Sequence, residues 1–268
     1  MPSITLPDGD TLYYEEHGQG RPLVMVAGLG GIGAYWAPQV APFAEHFRVI
    51  LHDHRGTGQS SRSQITYSVE QMAADTLALM DALGIEQADF VGHSTGASVA
   101  QVIAAEHPNR LGRIILASGW TKADGFFRRC FETRKQLLLT AGAEAYIKAT
   151  PLFLNPSWWI RDNIDTIERG ESGIYGGNHD VGIMASRIDA LLVFDRTADL
   201  PSIPHEVLVM GVANDHLTPA YFSEEMAALI PGAKLSIMTD GGHAASQVLP
   251  DEFNAIALAF LTGEGEAA

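Results

Sequence analysis

The chain has 268 residues, 46% hydrophobic and 18% charged, which is enough apolar sequence to bury the core of one large soluble α/β domain. Seventeen basic against thirty-two acidic residues leave a formal charge of −15, so nucleic-acid phosphates and anionic membrane surfaces meet a repulsive field and neither is expected as a partner. A single cysteine, Cys130, rules out an intrachain disulfide or a cysteine zinc site; residues 1–9 lack a secretory signal and no stretch has the apolar length of a bilayer span, so a cytoplasmic location is expected.

Residues 3–6 and 11–14 alternate in polarity on either side of Asp8-Gly9-Asp10, a hairpin signature, so the chain is expected to begin antiparallel. Apolar runs at 23–27, 49–51, 90–91, 114–117, 207–210 and 235–238 then alternate with helical patterns. Continuous apolar strands are buried on both faces, which predicts an α/β fold whose mostly parallel sheet carries helices on either side. Ser68-x-x-Gln71 has capping-box spacing and opens a helix that Gly84 should stop. Residues 118–200 break the alternation. They are helical in composition and contain Pro151, Pro156, Trp158, Trp159 and a loose stretch at 170–182. This predicts a helical cap, a lid inserted into a core of residues 1–117 and 201–268, with a helical decoration that takes no part in binding as the alternative. Phe253, Ile256, Ala257, Phe260 and Leu261 recur at helical spacing and predict a last helix packed on the edge of the sheet; the tail at 263–268 should fray.

Within this frame Gly92-His93-Ser94-Thr95-Gly96 lies between a short apolar run and an Ala-rich helix. Strand, tight turn and helix are what a nucleophile elbow needs, because the turn lifts the serine hydroxyl above the sheet; a plain helix-capping serine is the alternative. A serine hydroxyl needs a base within hydrogen-bond reach and a carboxylate to hold that base. Of the ten histidines, His243 follows the last strand-like run and the Asp240-Gly241-Gly242 turn. Asp215, in the polar turn after the run at 207–210, is the candidate acid, with Asp195 or Asp199 in reserve. The oxyanion of an acyl-transfer intermediate needs two donors, expected from the amides of Thr95 and of Leu29 in the Gly28-Leu29-Gly30-Gly31 loop. That loop lacks the Lys-Ser/Thr ending of a phosphate cradle. His52, Asp53 and His54 read as structural hydrogen-bonding groups, and neither metal nor organic cofactor is expected.

Residues 118–136 hold Lys122, Arg128, Arg129, Arg134 and Lys135 against Asp124 and Glu132. The cluster could face a carboxylate-bearing substrate, or Asp124, Arg128 and Glu132 could form an ion-pair ladder along a solvated helix.

Through the glycine-rich loop at 28–31, Asp53-x-Arg55-Gly56-x-Gly58, the elbow at Ser94, Asp215 and Gly241-Gly242-His243, the sequence resembles the α/β-hydrolase superfamily across nearly its whole length. Within it, Tyr35-Trp36, Gly119-Trp120, Arg128-Arg129-Cys130-Phe131, residues 151–154 and Trp159 are similar to the aminoacrylate hydrolases of pyrimidine degradation. The resemblance implies hydrolysis of a small-molecule acyl compound by Ser94, His243 and Asp215, as in the related enol-lactonases, esterases and amide hydrolases. It adds Trp120 and Trp159 to Arg128 and Arg129 as candidate substrate-binding residues. Two departures stand out: Ala27-Gly28 where many members have His-Gly, and a serine at position 94 that some aminoacrylate hydrolases lack. An enamine hydrolase that spares the serine and a non-catalytic small-molecule receptor are therefore the rival expectations. The assembly is left open, a homodimer among its alternatives.

Overall fold

The structure, a computed structural model, describes residues 2–175 and 179–263, and at 172–175 the backbone alone. Among the described residues, one sheet contains β1 (Ser3–Thr5), β2 (Thr11–His17), β3 (Arg21–Val26), β4 (Phe47–His52), β5 (Ala88–His93), β6 (Leu111–Ala117), β7 (Val207–Val212) and β8 (Lys234–Met238). Their order is β1-β2-β4-β3-β5-β6-β7-β8. The pairs β1/β2 and β2/β4 are antiparallel and every later pair is parallel, as the hairpin and the apolar runs predict.

The pleat divides the buried strands between two cores. Val24, Val26, Ile50, Phe90, Ile114, Leu116 and Val209 cluster with α2 (Val69–Ala82), α3 (Thr95–Glu106) and α7 (Ala220–Leu229). Leu23, Met25, Val49, Leu51, Val91, Ile115 and Met210 point the other way, into a cluster with α1 (Ala37–Ala44), α8 (Ala245–Val248) and α9 (Pro250–Thr262). Helix α9 does not lie on the sheet's edge. Its carbonyls at Phe260 and Leu261 accept from Arg113 on β6 at 3.1 and 3.0 Å, and Leu261 accepts from Arg21 on β3 at 2.7 Å, so it spans the middle of the face over β5. Its apolar stripe covers the central strands because these are the ones with two faces to bury.

Ser68 opens α2 by accepting from Gln71 N at 3.0 Å, but the capping box is only half formed. The Gln71 amide turns to Asp75, which is drawn into a buried fork with Arg55 at 2.7 and 3.2 Å. Gly84 follows the helix with a left-handed φ of 66°.

Among the described residues three α-helices lie between β6 and β7: α4 (Gly125–Leu154), α5 (Ser157–Tyr175) and α6 (Val181–Val193). The chain enters and leaves this insertion side by side, at a bridge between Lys122 and Asp195 and a 3.0 Å bond from Arg196 N to Thr121 O. Helix α4 is broken at Gly142, whose φ of 84° and ψ of 177° belong to a region essentially confined to glycine. Its second arm folds back so that Tyr146, Thr150 and Phe153 meet Arg134 from the first. The stretch at 170–182 is helical on both sides, in α5 and α6, and 176–178 lie outside the described residues; so do 264–268 of the tail expected to fray.

Candidate active site

The candidate residues collect at the carboxyl ends of β5, β7 and β8. Ser94 joins β5 directly to α3 with φ 54° and ψ −115°, a conformation rare for a residue with a side chain. The turn is possible because its flanks are bare. A Cβ on Gly92 would collide with the Gly96 carbonyl, and one on Gly96 with that of Val26. Ser94 N donates to Ala117 O at 2.8 Å, which ties the turn to the end of β6. The hydroxyl caps nothing, contrary to the simple helix-cap alternative.

Asp215 follows β7 and is fully enclosed. Oδ1 accepts from the amides of Leu217 and Thr218 at 2.7 and 2.9 Å, and Oδ2 lies 2.8 Å from His243 Nδ1. Burial alone would raise the carboxyl pKa. The charge and hydrogen bond of His243, with the two amides, outweigh it and hold the group below the ordinary carboxylate range. In the neutral ring, Nδ1 donating to the carboxylate leaves Nε2 as the acceptor. The Thr218 hydroxyl, 2.9 Å from both Asp215 Oδ2 and Ser118 O, links this pair to the residue after Ala117, where the Ser94 amide is anchored. Among the described residues Ser94 Oγ makes no hydrogen bond. Hydrogen bonds of this kind commonly tighten only when substrate is bound.

The neighbouring histidine has a different part. His93 is fully buried, stacked on Tyr35 at 4.8 Å, and its Nε2 lies 2.8 Å from the His243 carbonyl. Burial, then the nearby His243, lowers its pKa to about 3, so the ring is neutral and Nε2–H is the donor. The His243 loop is also held from outside. Ala244 N donates to Leu154 O at 3.0 Å, Gly242 N to Asn214 Oδ1 at 3.0 Å, and Asn214 to Asp240, which also takes the Trp158 indole at 3.0 Å. Asp240 is thus an anchor between α5 and the loop.

The glycine-rich loop lies against the elbow: a Cβ on Gly28 would sit 3.1 Å from Ser94 Cβ and 3.5 Å from its Oγ. Thr95, first in α3, has no intrahelical acceptor for its amide, and among the described residues neither Thr95 N nor Leu29 N donates a hydrogen bond. The Leu29 carbonyl is pinned by Arg187, a fully buried side chain that sequence reasoning missed. Arg187 Nη2 lies 3.0 Å from Leu29 O and 3.1 Å from His54 Nδ1, and Nη1 donates to Arg55 O at 2.9 Å. Burial lowers its pKa to about 10, which leaves it charged at neutral pH. The one available signal was a lone cation in the mostly apolar helical pattern of 183–192, which also holds Ser186 and Asp189.

Asp53 accepts from Gly33 N and Gln59 N at 2.8 Å each, and the His52 and His54 rings stack at 5.2 Å. Among the described residues no cluster of histidine, cysteine or acidic side chains is placed to hold a metal ion. The reserve acids go elsewhere: Asp195 accepts from Thr197 N at 3.0 Å and Asp199 pairs with Arg196 at 3.1 Å.

Among the inserted helices the reading of the basic cluster needs correction. Arg128 and Arg129 are exposed on α4, and the buried cation of that stretch is Arg134. The ladder does not form from Asp124, which caps α4 through Phe127 N at 2.8 Å and accepts from Tyr221 at 2.8 Å. Trp120 is fully buried between Phe127 and Phe194 at ring distances of 4.7 and 6.0 Å, a packing position. Trp159 is half-buried on α5.

A family model described as the alpha/beta hydrolase fold matches residues 21–247. A protein named "Putative carbamate hydrolase RutD" from Azorhizobium caulinodans is 40% identical over 260 residues, covering 97% of this chain and 98% of the relative. Its namesake from Caulobacter sp. (strain K31) is 42% identical over 260 residues, covering 95% and 97%. The enol-lactonase of Burkholderia xenovorans LB400 superposes with a TM-score of 0.89 at 27% identity, over 97% of this chain and all (100%) of that one. Est816, an N-acyl homoserine lactone degrading enzyme, superposes with a TM-score of 0.83 at 26% identity, over 97% and 100%. Among the described residues no helix is long and apolar enough to cross a membrane.

Proposed function

The chain belongs to the alpha/beta hydrolase fold family, and on that premise we propose that it is a serine hydrolase cleaving a small acyl compound, an ester, lactone, amide or enamide, through an acyl-enzyme on Ser94. The observation that carries this reading is the 2.8 Å contact between His243 Nδ1 and the enclosed Asp215 carboxylate, beside a serine in an elbow conformation. As Ser94 Oγ bonds to the acyl carbon, its proton passes to His243 Nε2. The Asp215 carboxylate stabilises the imidazolium, and the amides of Leu29 and Thr95 receive the oxyanion. Collapse breaks the bond to the leaving group, which takes the proton from His243. Water then repeats the sequence on the acyl-enzyme and frees Ser94. The inserted helices serve as the cap over this centre, and relatives named for carbamate, enol-lactone and acyl-lactone chemistry agree with a small substrate.

Ser94→Ala should lower kcat on p-nitrophenyl acetate by about 10⁴ to 10⁶, and a fluorophosphonate should add its mass to Ser94. Full activity in the alanine variant would reject the acyl-enzyme and favour an enamine hydrolase that spares the serine. Tight ligand binding with no turnover of any substrate would favour a receptor.

A further inference from the structure

Resting on that reading of Ser94, we propose that Arg134 binds a carboxylate carried by the substrate, which makes the substrate class a small acyl compound with a free carboxylate a few bonds from the scissile carbonyl. Arg134 is only 5% exposed. Its guanidinium lies over Phe131, Tyr146 and Phe153 at 5.3, 4.9 and 5.2 Å, and its hydrogen-bonding neighbours are neutral hydroxyls, that of Thr150 at 3.3 Å and that of Tyr146. Among the described residues no carboxylate pairs with it. The other buried guanidinia are answered: Arg55 by Asp8, Asp10 and Asp75, and Arg187 by two carbonyls and an imidazole. Aromatic faces offset part of the desolvation of a cation, but a buried charge left without an anion is unfavourable. An anion that arrives with the ligand removes that deficit.

Its position agrees. Phe153, beneath the guanidinium, precedes Leu154, whose carbonyl takes the amide of Ala244, the residue after His243. Cys130, one helical turn before Arg134, lies in the fields of both Arg134 and Asp215. The guanidinium and the imidazole loop are thus linked through one short segment, residues 153–154. Of the five basic residues at 118–136, Lys122, Arg128 and Arg129 are exposed, and Lys135 is occupied by Asp189 at 2.6 Å. Arg134 alone is turned inward in a protein of charge −15.

The test compares mono-p-nitrophenyl succinate with p-nitrophenyl butyrate, which replaces the carboxylate by a methyl group. The ratio of their kcat/KM values should fall about 10- to 100-fold in Arg134→Met, the scale of a lost charged hydrogen bond, chiefly through KM for the succinate ester. Arg134→Lys, which keeps the charge but loses the fork, should fall in between. Independently, calorimetry on Ser94→Ala protein should show monomethyl succinate binding at least about tenfold tighter than dimethyl succinate. An unchanged ratio in either folded Arg134 variant, or equal binding of the monoanion and the diester, overturns the proposal. Should Ser94→Ala keep full activity, the serine mechanism falls, while the calorimetric comparison still decides the carboxylate site.

Discussion

Around Asp215 both carboxylate oxygens face donors from main chain or side chain, whereas Arg134, among the inserted helices, is surrounded by aromatic faces and neutral hydroxyls, that of Thr150 at 3.3 Å. The first region is complete before any ligand arrives. The second holds a charge that its own fold does not answer. Groups that perform chemistry must already stand in place when the substrate binds, and short turns at the ends of a packed sheet hold them there. Groups that recognise a ligand do so best when their unmet bonding capacity is met only by that ligand. Arg187 reaches from α6, in the insertion, to the Leu29 carbonyl beside the elbow.

The largest expected effect breaks the complete region. Asp215→Asn keeps the shape of the side chain but removes the charge and offers an amide to His243 Nδ1, so kcat on p-nitrophenyl acetate should fall by about 10⁴. A fall under about tenfold would mean that Thr218, 3.2 Å from the same nitrogen, suffices to hold the ring. A smaller effect is expected from the break in α4. Alanine at Gly142 must adopt a backbone all but closed to it, so Gly142→Ala should lower stability in urea by about 1–3 kcal/mol and reduce discrimination between the succinate and butyrate esters. Unchanged stability would show that the two arms of α4 need no glycine between them. The smallest effect sharpens the contrast between inward and outward charge. Replacing Arg128 and Arg129 together by Gln should change the ester ratio by less than about twofold, since exposed charges act through water and salt; a loss matching that of Arg134→Met would return the carboxylate site to the helix surface.

What could be read in advance followed local rules. The serine turn is legible because Gly92, Ser94 and Gly96 lie within five residues and their steric demands concern one another. The parallel strands are legible because burial on both faces leaves an uninterrupted apolar run. The half-formed capping box was not legible, since Gln71 is diverted by Asp75, which is itself held by an arginine twenty residues away in the chain. Nor was the placement of α9, because a helix stripe records that one side is buried without recording what covers it.

By itself the sequence determined the strand-helix alternation, the elbow conformation of Ser94 and the turns that carry Asp215 and His243, since each depends on residues close in the chain. Only the tertiary structure decided that Arg134 rather than Arg128 or Arg129 faces inward, and that Arg187 grips the loop beside the serine. A helix presents every side chain to some direction. Which direction is inside depends on the partner it packs against, here a second arm turned back by one glycine, and that partner is brought near by the fold.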